Sequence, residues 1–295
     1  MGLENGVKEM TVNPVLPEKT EQLYGGIAAT NRRITTRDLI AAKARGDRWP
    51  MITTYDALTA QLFDDAGIPV LLVGDSAAMV VQGHDTTLPI TLDEMIPMVA
   101  AVVRGSSRAL VVADMPFGSY QLSPEQALGS AARFVKEAGA HAVKLEGGAR
   151  VRPQVSALVE AGIPVMGHIG LTPQSVNVLG GYRVQGRGAD ADHIISDAKA
   201  LEAAGAFAIV LEVMPAELAT QITAAVNVPT IGIGAGNHTD AQVLVWQDLL
   251  GLTPPPHPRF LKPYADLRSI MTSAVREWAD DVVAGQYPAD DQDYV

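Results

Sequence analysis

Leu71-Leu72-Val73-Gly74-Asp75-Ser76 is an apolar run that climbs to a glycine and ends in a carboxylate and a hydroxyl. The same grammar recurs down the chain. Ala109 to Ala113 ends at Asp114, Ala142 to Leu145 at Glu146, and Ala208 to Leu211 at Glu212. Runs this short, separated by helix-sized intervals, are the signature of buried parallel strands. A carboxylate closing such a strand is costly unless it caps the next turn, faces a polar cavity or binds something. One such acid reads equally well as a helix cap. Four in the same position point to a shared site.

Upstream of this stretch, Thr35-Thr36 before Asp38 predicts a capped helix stopped by Gly46, followed by a strand over Pro50–Tyr55. Asp56 is a cap for a helix whose apolar positions Leu58, Leu62, Phe63 and Ala66 read as one stripe. Downstream, a helix over 92–104 leads to the strand ending at Asp114, and Ser123-Pro124-Glu125-Gln126 is a helix start running to Gly139. Helices over 151–161, 191–204 and 216–225 then alternate with strands over 165–168, 207–211 and 229–233. A helix around Asp240–Leu244 and a short strand near Val245–Leu249 complete the count, before a last helix from about Tyr264 to Ala284. Segments 77–92 and 169–189 read as long loops, the second either a lid over a ligand or an ordinary connection.

Eight strand candidates alternating with helices predict an α/β fold, a (β/α)8 TIM barrel in a single domain, with an open doubly wound sheet as the alternative. The N-terminal helix before the first strand is expected to close the bottom of the barrel. The C-terminal helix after the last strand is expected to cover its side or swap onto a neighbour. Residues 1–28 read as a flexible leader, 29–285 as the barrel and 286–295 as a C-terminal tail.

The formal charge is -11, from 22 Lys+Arg against 33 Asp+Glu, and no basic cluster offers a nucleic-acid footprint. With no Cys there is no thiolate nucleophile and no disulfide framework, and a cytoplasmic location is the default reading. No basic start followed by an apolar run suggests a signal peptide, and the apolar runs are too interrupted to span a membrane.

On this strand reading Asp75, Asp114, Glu146, His168 and Glu212 all fall at C-terminal strand ends, where barrel enzymes keep their chemistry. Lys144 and Glu146 are two apart and share one strand face. A structural ion pair would account for those two, but not for the extra aspartates nearby. Carboxylates without Cys, around one central His, suit a hard ion such as Mg²⁺, with Asp75 and Asp114 the best pair. Each acid capping its own loop is the alternative. Gly232-Ile233-Gly234-Ala235-Gly236 lacks the third spacing of a dinucleotide fingerprint, and reads as a close backbone approach to a ligand or as a tight turn.

Beyond single residues, the chain resembles the ketopantoate hydroxymethyltransferase family over about residues 30 to 285. The resemblance is carried by Val73-Gly74-Asp75-Ser76, Val81-Gln82-Gly83-His84-Asp85 and Lys144-Leu145-Glu146-Gly147-Gly148. It continues through Gly167-His168-Ile169-Gly170-Leu171-Thr172-Pro173-Gln174-Ser175, Gly180-Gly181-Tyr182-Arg183-Val184-Gln185-Gly186-Arg187-Gly188 and the 232–236 run. It implies a barrel holding one Mg²⁺ per subunit in a homodecamer. The implied reaction moves a hydroxymethyl group from 5,10-methylenetetrahydrofolate to 3-methyl-2-oxobutanoate through a magnesium-stabilised enolate, giving 2-dehydropantoate for pantothenate. By motif, Asp75, Asp114 and Glu146 form the metal set, Glu146 acting near the metal's waters. Ser76, Lys144 and His168 bind the oxoacid alongside the two aspartates, and Glu212 is the general base, with Lys144 and Glu146 completing the catalytic set. The competing readings are a Mg²⁺-dependent C–C lyase or mutase of a related 2-oxoacid, many of which use a Cys acid that this chain lacks, and a non-catalytic metal–oxoacid binding protein.

Overall fold

The alternation of apolar runs closes on itself. In the computed structural model, which describes residues 23–24 and 32–294, the strands are Trp49–Thr53 (β1), Val70–Val73 (β2), Leu110–Asp114 (β3) and Ala142–Glu146 (β4). They continue as Val165–Gly170 (β5), Ala208–Glu212 (β6), Thr230–Ile233 (β7) and Ala241–Leu244 (β8). All pair in parallel in chain order, and β8 pairs back to β1, so the sheet is a closed barrel rather than an open one. The helices are Thr36–Arg45 (α1), Ala57–Asp65 (α2), Ala77–Val80 (α3), Leu92–Gly105 (α4), Pro124–Ala138 (α5) and Arg152–Glu160 (α6). Val176–Leu179 (α7), Asp190–Ala203 (α8), Ala216–Ala225 (α9), Trp246–Leu249 (α10) and Leu267–Ala284 (α11) follow.

Strand pleating sorts the apolar residues into two cores. One phase, including Met51, Leu72, Val112, Ala142, Met166 and Val210, fills the barrel interior. The other, including Leu71, Val111, Val143, Ile169 and Ile209, packs outward against the helices. Each fully buried aliphatic side chain contributes roughly 1.5–3 kcal/mol of transfer free energy. Leu39 and Ala42 of α1 join the interior cluster, so this helix plugs the bottom of the barrel as its position before β1 implied. Its start is set by Asp38, whose carboxylate accepts the Thr35 N–H at 2.8 Å, and its stop by Gly46 in the left-handed region at φ 74. Leu23 is buried in the same cluster; the rest of the 1–28 leader, apart from Tyr24, lies outside the described residues.

Several local expectations are corrected. Ala241–Leu244, expected as helix, is the eighth strand, and Val245–Leu249, expected as that strand, holds α10. Ala241 and Val243 are buried while Gln242 is exposed, a period-2 wall paired to both β7 and β1. Trp246 N–H then donates to Thr53 Oγ1 at 3.1 Å where the helix begins. The two long loops are shorter than expected, because α3 occupies the start of one, while the end of β5, a 3-10 turn at Pro173–Ser175 and α7 occupy part of the other. α11 buries none of its residues, so it does not cover the barrel's side.

The stripe expected on α2 is also rotated: Leu58 and Leu62 are exposed, while Ala60, Phe63 and Asp64 face inward. Asp64 explains the rotation. Its carboxylate accepts the N–H groups of Ser107, Arg108 and Ala109 and the Ser107 hydroxyl, holding the turn that feeds β3. Burial opposes the Asp64 charge, but these backbone N–H donors outweigh it and pull the carboxyl below the usual aspartate range. A folded pKa below the unfolded value gives stability that is complete above about pH 4 and is lost as pH falls through the folded value. Asp64→Asn is expected to lower stability by about 2–3 kcal/mol at neutral pH. In urea titrations the gap to wild type should narrow as pH drops below about 4.

Candidate active site

The inward-facing series of each strand turns from apolar to charged at its C-terminal end. Val112 is followed by Asp114, Ala142 by Lys144 and Glu146, Met166 by His168, and Val210 by Glu212. Register sets these groups side by side: Asp114 pairs with Lys144, Glu146 with His168, and Gly170 with Glu212. Asp75 and Ser76 enter from the turn after β2. All seven site residues expected from sequence line one cavity of about 170 Å³, which also has an apolar wall including Val210, Ile233 and Val243.

Lys144 Nζ lies 2.8 Å from both Asp114 oxygens and 3.8 Å from Glu146 Oε1. Burial works against the ammonium, but Asp114, Glu146 and Asp75 together hold its pKa above the ordinary lysine value. Asp114 Oδ2 also accepts the Asp75 N–H at 3.3 Å. Burial pushes the Asp75 carboxyl well up, with Asp114 and Glu146 adding to the effect. It raises Asp114 as well, against the opposing charge of Lys144. His168 lies between two acids, with Nδ1 3.5 Å from Glu146 Oε1 and Nε2 3.1 Å from Glu212 Oε2. Burial and Lys144 disfavour its cation, yet the two carboxylates win and its pKa stands at about 9. Glu146 is buried, which favours its neutral form, but His168 first and Lys144 after it keep its pKa below the usual glutamate value.

Residues 33–290 match the family model described as ketopantoate hydroxymethyltransferase. The chain belongs to that family. A relative from Thermobifida fusca (strain YX), named 3-methyl-2-oxobutanoate hydroxymethyltransferase, is 65% identical over 273 residues, covering 92% of this chain and 96% of that protein. One of the same name from Mycobacterium ulcerans (strain Agy99) is 59% identical over 264 residues, covering 90% and 89%. Family membership makes the chain a hydroxymethyltransferase. Among solved structures, phosphonopyruvate hydrolase in complex with oxalate and Mg²⁺ overlays with a TM-score of 0.58 at 13% identity, covering 88% of this chain and 92% of that one. 2,3-Dimethylmalate lyase, a member of the PEP mutase/isocitrate lyase superfamily, gives 0.54 at 18% identity, covering 88% and 91%. These two likenesses are of fold alone.

In this hydroxymethyltransferase the charged layer rests on neutral residues to which sequence reading gave no role. Gln174 donates through Nε2 to Asp75 Oδ2 and to the Met115 carbonyl, both at 2.9 Å, and its N–H donates to Glu146 Oε2 at 3.0 Å. The Tyr120 hydroxyl donates to Gln174 Oε1 at 2.7 Å and accepts the Glu146 N–H at 3.1 Å. Gln174 stood inside a quoted motif, but a neutral amide in a turn carries no strand-end signal. The Ser76 hydroxyl shares a hydrogen bond of 2.8 Å with Tyr55. Glu146 Oε1, both His168 ring nitrogens and the cavity-lining Thr87 Oγ1 are buried without an aligned hydrogen-bond partner. Buried polar atoms are rarely left so unless a ligand completes them.

Glu212 is the least enclosed of the charged groups, with its side chain 17% exposed. Its backbone is clamped on both sides. Leu171 N–H donates to its carbonyl at 2.8 Å, and a Cβ on Gly170 would collide with that same oxygen. Val213, next in the chain, is the one described non-glycine residue with positive φ, at 45, and its N–H donates to Ile233 O at 2.8 Å. A β-branched residue there is strained by about 1–3 kcal/mol. The glycines of the 232–236 run make room for protein, not for a nucleotide: Gly234 abuts the Phe260 ring and Gly236 abuts Ala216.

The Tyr120–Gln174–Glu146 network gives a direct expectation. Tyr120→Phe leaves the buried Glu146 N–H unpaired and Gln174 Oε1 with only the Gln121 amide, 3.2 Å away, and should cost about 1–3 kcal/mol of stability. Equilibrium unfolding in urea measures this, and an unchanged midpoint would show that the hydroxyl is not needed to hold the layer.

Proposed function

We propose that this enzyme transfers a hydroxymethyl group from 5,10-methylenetetrahydrofolate to 3-methyl-2-oxobutanoate, giving 2-dehydropantoate and tetrahydrofolate in pantothenate biosynthesis, in the cytoplasm. The names of relatives at 65% and 59% identity support the acceptor. The observation that carries the chemistry is the buried layer of Asp75, Asp114, Lys144, Glu146 and His168, with incomplete polar atoms facing a cavity that opens past Glu212. Overall, the acceptor loses its C3 proton and gains the one-carbon unit, while water supplies the hydroxyl oxygen. The lyase reading rests on fold likeness alone, and the family match carries the hydroxymethyltransferase instead.

The donor set fits a small hard cation. Carboxylates of Asp75 and Asp114 stand at neighbouring strand ends, and Glu146 Oε1 has no aligned hydrogen-bond partner. Among the described residues no cluster of three or more His, Cys, Asp or Glu side chains forms a metal cage. Mg²⁺ needs none, since it keeps several waters and takes one or two carboxylates. Asp75 and Asp114 would hold the ion and Glu146 would receive its waters. When bound, the ion would supply Lewis-acid polarisation of the oxoacid.

The chain's own groups do the rest. Lys144 and His168 supply positive charge that favours an anionic oxoacid, and Ser76 and Thr87 add hydroxyls at the cavity wall. Val210, Ile233 and Val243 offer apolar surface for the branched end of the acceptor, orienting C3 and excluding water. Glu212, on a different strand from the Asp75–Asp114 pair and clamped at its backbone, takes the C3 proton and leaves an enolate on the oxoacid. Glu146 is unsuited to that role, because His168 and Lys144 hold it ionised and weakly basic.

Self-association belongs to the same proposal. On α11 the side chains of Ile270, Val275 and Trp278 are 54–60% exposed, and no residue of this helix is buried. Such a face seeks a partner, and the family resemblance makes the assembly a homodecamer. Sedimentation equilibrium at micromolar concentration should return ten subunits, and a stable monomer or dimer would refute it.

The base assignment is tested by exchange of the C3 hydrogen of 3-methyl-2-oxobutanoate into deuterated water with enzyme and Mg²⁺, followed by NMR, adding tetrahydrofolate if wild type is silent alone. Glu212→Gln should slow exchange by about 10²–10⁴-fold with oxoacid binding nearly intact. Glu146→Gln should weaken binding as well as rate. Wild-type exchange in Glu212→Gln would transfer the base role to another residue.

A further inference from the structure

The inner cavity, at about 170 Å³, has room for a small oxoacid but not for a bicyclic heterocycle, an aryl ring and a glutamate tail. A second cleft, of about 1100 Å³, lies against it on the Glu212 side. Met79, Tyr182 and Glu212 line both, and the Tyr182 hydroxyl lies 3.9 Å from Met79 Sδ at this boundary. We propose that this outer cleft is the site of the folate co-substrate, with its rings among Tyr182 and Phe260, its pterin edge toward Glu217 and its glutamate tail toward Arg259. The assignment rests on the folate-dependent reading above and deepens it.

Three observations carry it. The one-carbon donor must reach the same carbon whose proton Glu212 removes, and the outer cleft meets the inner cavity at Glu212 itself. A smaller cavity of about 460 Å³ beside Phe117 meets the inner one at the buried Glu146 and does not include Glu212. Next, the outer cleft supplies aromatic rings for planar groups: the half-exposed Tyr182 and Phe260, the latter fixed against Gly234. Last, two exposed charges of opposite sign line it. Arg259 and Glu217 are both without an ion-pair or hydrogen-bond partner among the described residues. The amino-pyrimidinone edge of a pterin presents adjacent N–H donors that a carboxylate accepts as a fork, and a guanidinium binds the tail's carboxylates in the same bidentate way.

The test measures binding of tetrahydrofolate, and of tetrahydropteroate, which lacks the glutamate, to the full chain with Mg²⁺ and 3-methyl-2-oxobutanoate present. Calorimetry on Phe260→Ala and Glu217→Gln should show both ligands weakened by at least about tenfold. Arg259→Gln should weaken tetrahydrofolate by a similar factor and leave tetrahydropteroate unchanged. Oxoacid affinity should stay at the wild-type value in all three. Arg259 and Glu217 are exposed, so their variants decide the matter even if Phe260→Ala fails to fold. Wild-type folate affinity in Arg259→Gln and Glu217→Gln overturns the assignment. So does a variant that dissociates the assembly while keeping its folate affinity, which would give this face to a neighbouring copy. Failure of the wild-type enzyme to move carbon from methylenetetrahydrofolate would instead refute the folate-dependent reading itself.

Discussion

A lysine ammonium at the top of a barrel interior is held by both oxygens of one aspartate, and an imidazole beside it lies between two glutamates. Taking such charges out of water costs several kcal/mol each, and only close partners repay it. The partners here come from four successive strands, β3 to β6. None of them is near its partner on an adjacent strand until the parallel register is closed. The charged layer therefore depends on the barrel, and a one-residue slip of any of these strands would send its charge into the apolar jacket of helices. Gln174 and Tyr120 brace the layer from outside the strands, filling hydrogen-bond positions that the charged residues leave open on one another.

The layer holds more carboxylates than cations, and several of its buried polar atoms lack an aligned hydrogen-bond partner. Stability alone would favour apolar residues of similar size at these positions. The strained backbone of Val213 directly follows Glu212, and strain of this kind clusters at functional sites. Both features are local costs carried by a fold whose remaining strands and helices are conventional.

Much of this was legible in the sequence. The strand-end acids led to one cavity because four carboxylates after apolar runs point to a shared pocket where a single one reads equally well as a cap, and the cap at Ser123 and stop at Gly139 set α5 to the residue. The eighth strand was misplaced because Ala241-Gln242-Val243-Leu244 is only four residues long, and the run from Val245 offers an equally apolar stretch. Closure against β1, 192 positions away, decides between them, and no local pattern holds that information. Leu58 and Leu62 misled for the opposite reason: the inward place on α2 is taken by a charged residue with backbone partners more than forty positions later. Tyr120 and Gln174 were missed because their pairing spans 54 positions and neither bears a charge. The helix from about Tyr264 to Ala284 was legible as an element, but none of its residues is buried by the described part of the chain.

The apolar floor of the barrel has a consequence for traffic. Below the charged layer the interior is packed with Leu72, Val112, Met166 and Val210, and α1 seals the end beneath them. Neither water nor a hydrated ion crosses such packing readily. Whatever enters this site therefore comes from the C-terminal face of the barrel, the end at which Glu212 stands. The innermost occupant is then the first to arrive and the last to depart, a sequence imposed by a one-ended vessel before any affinity is considered.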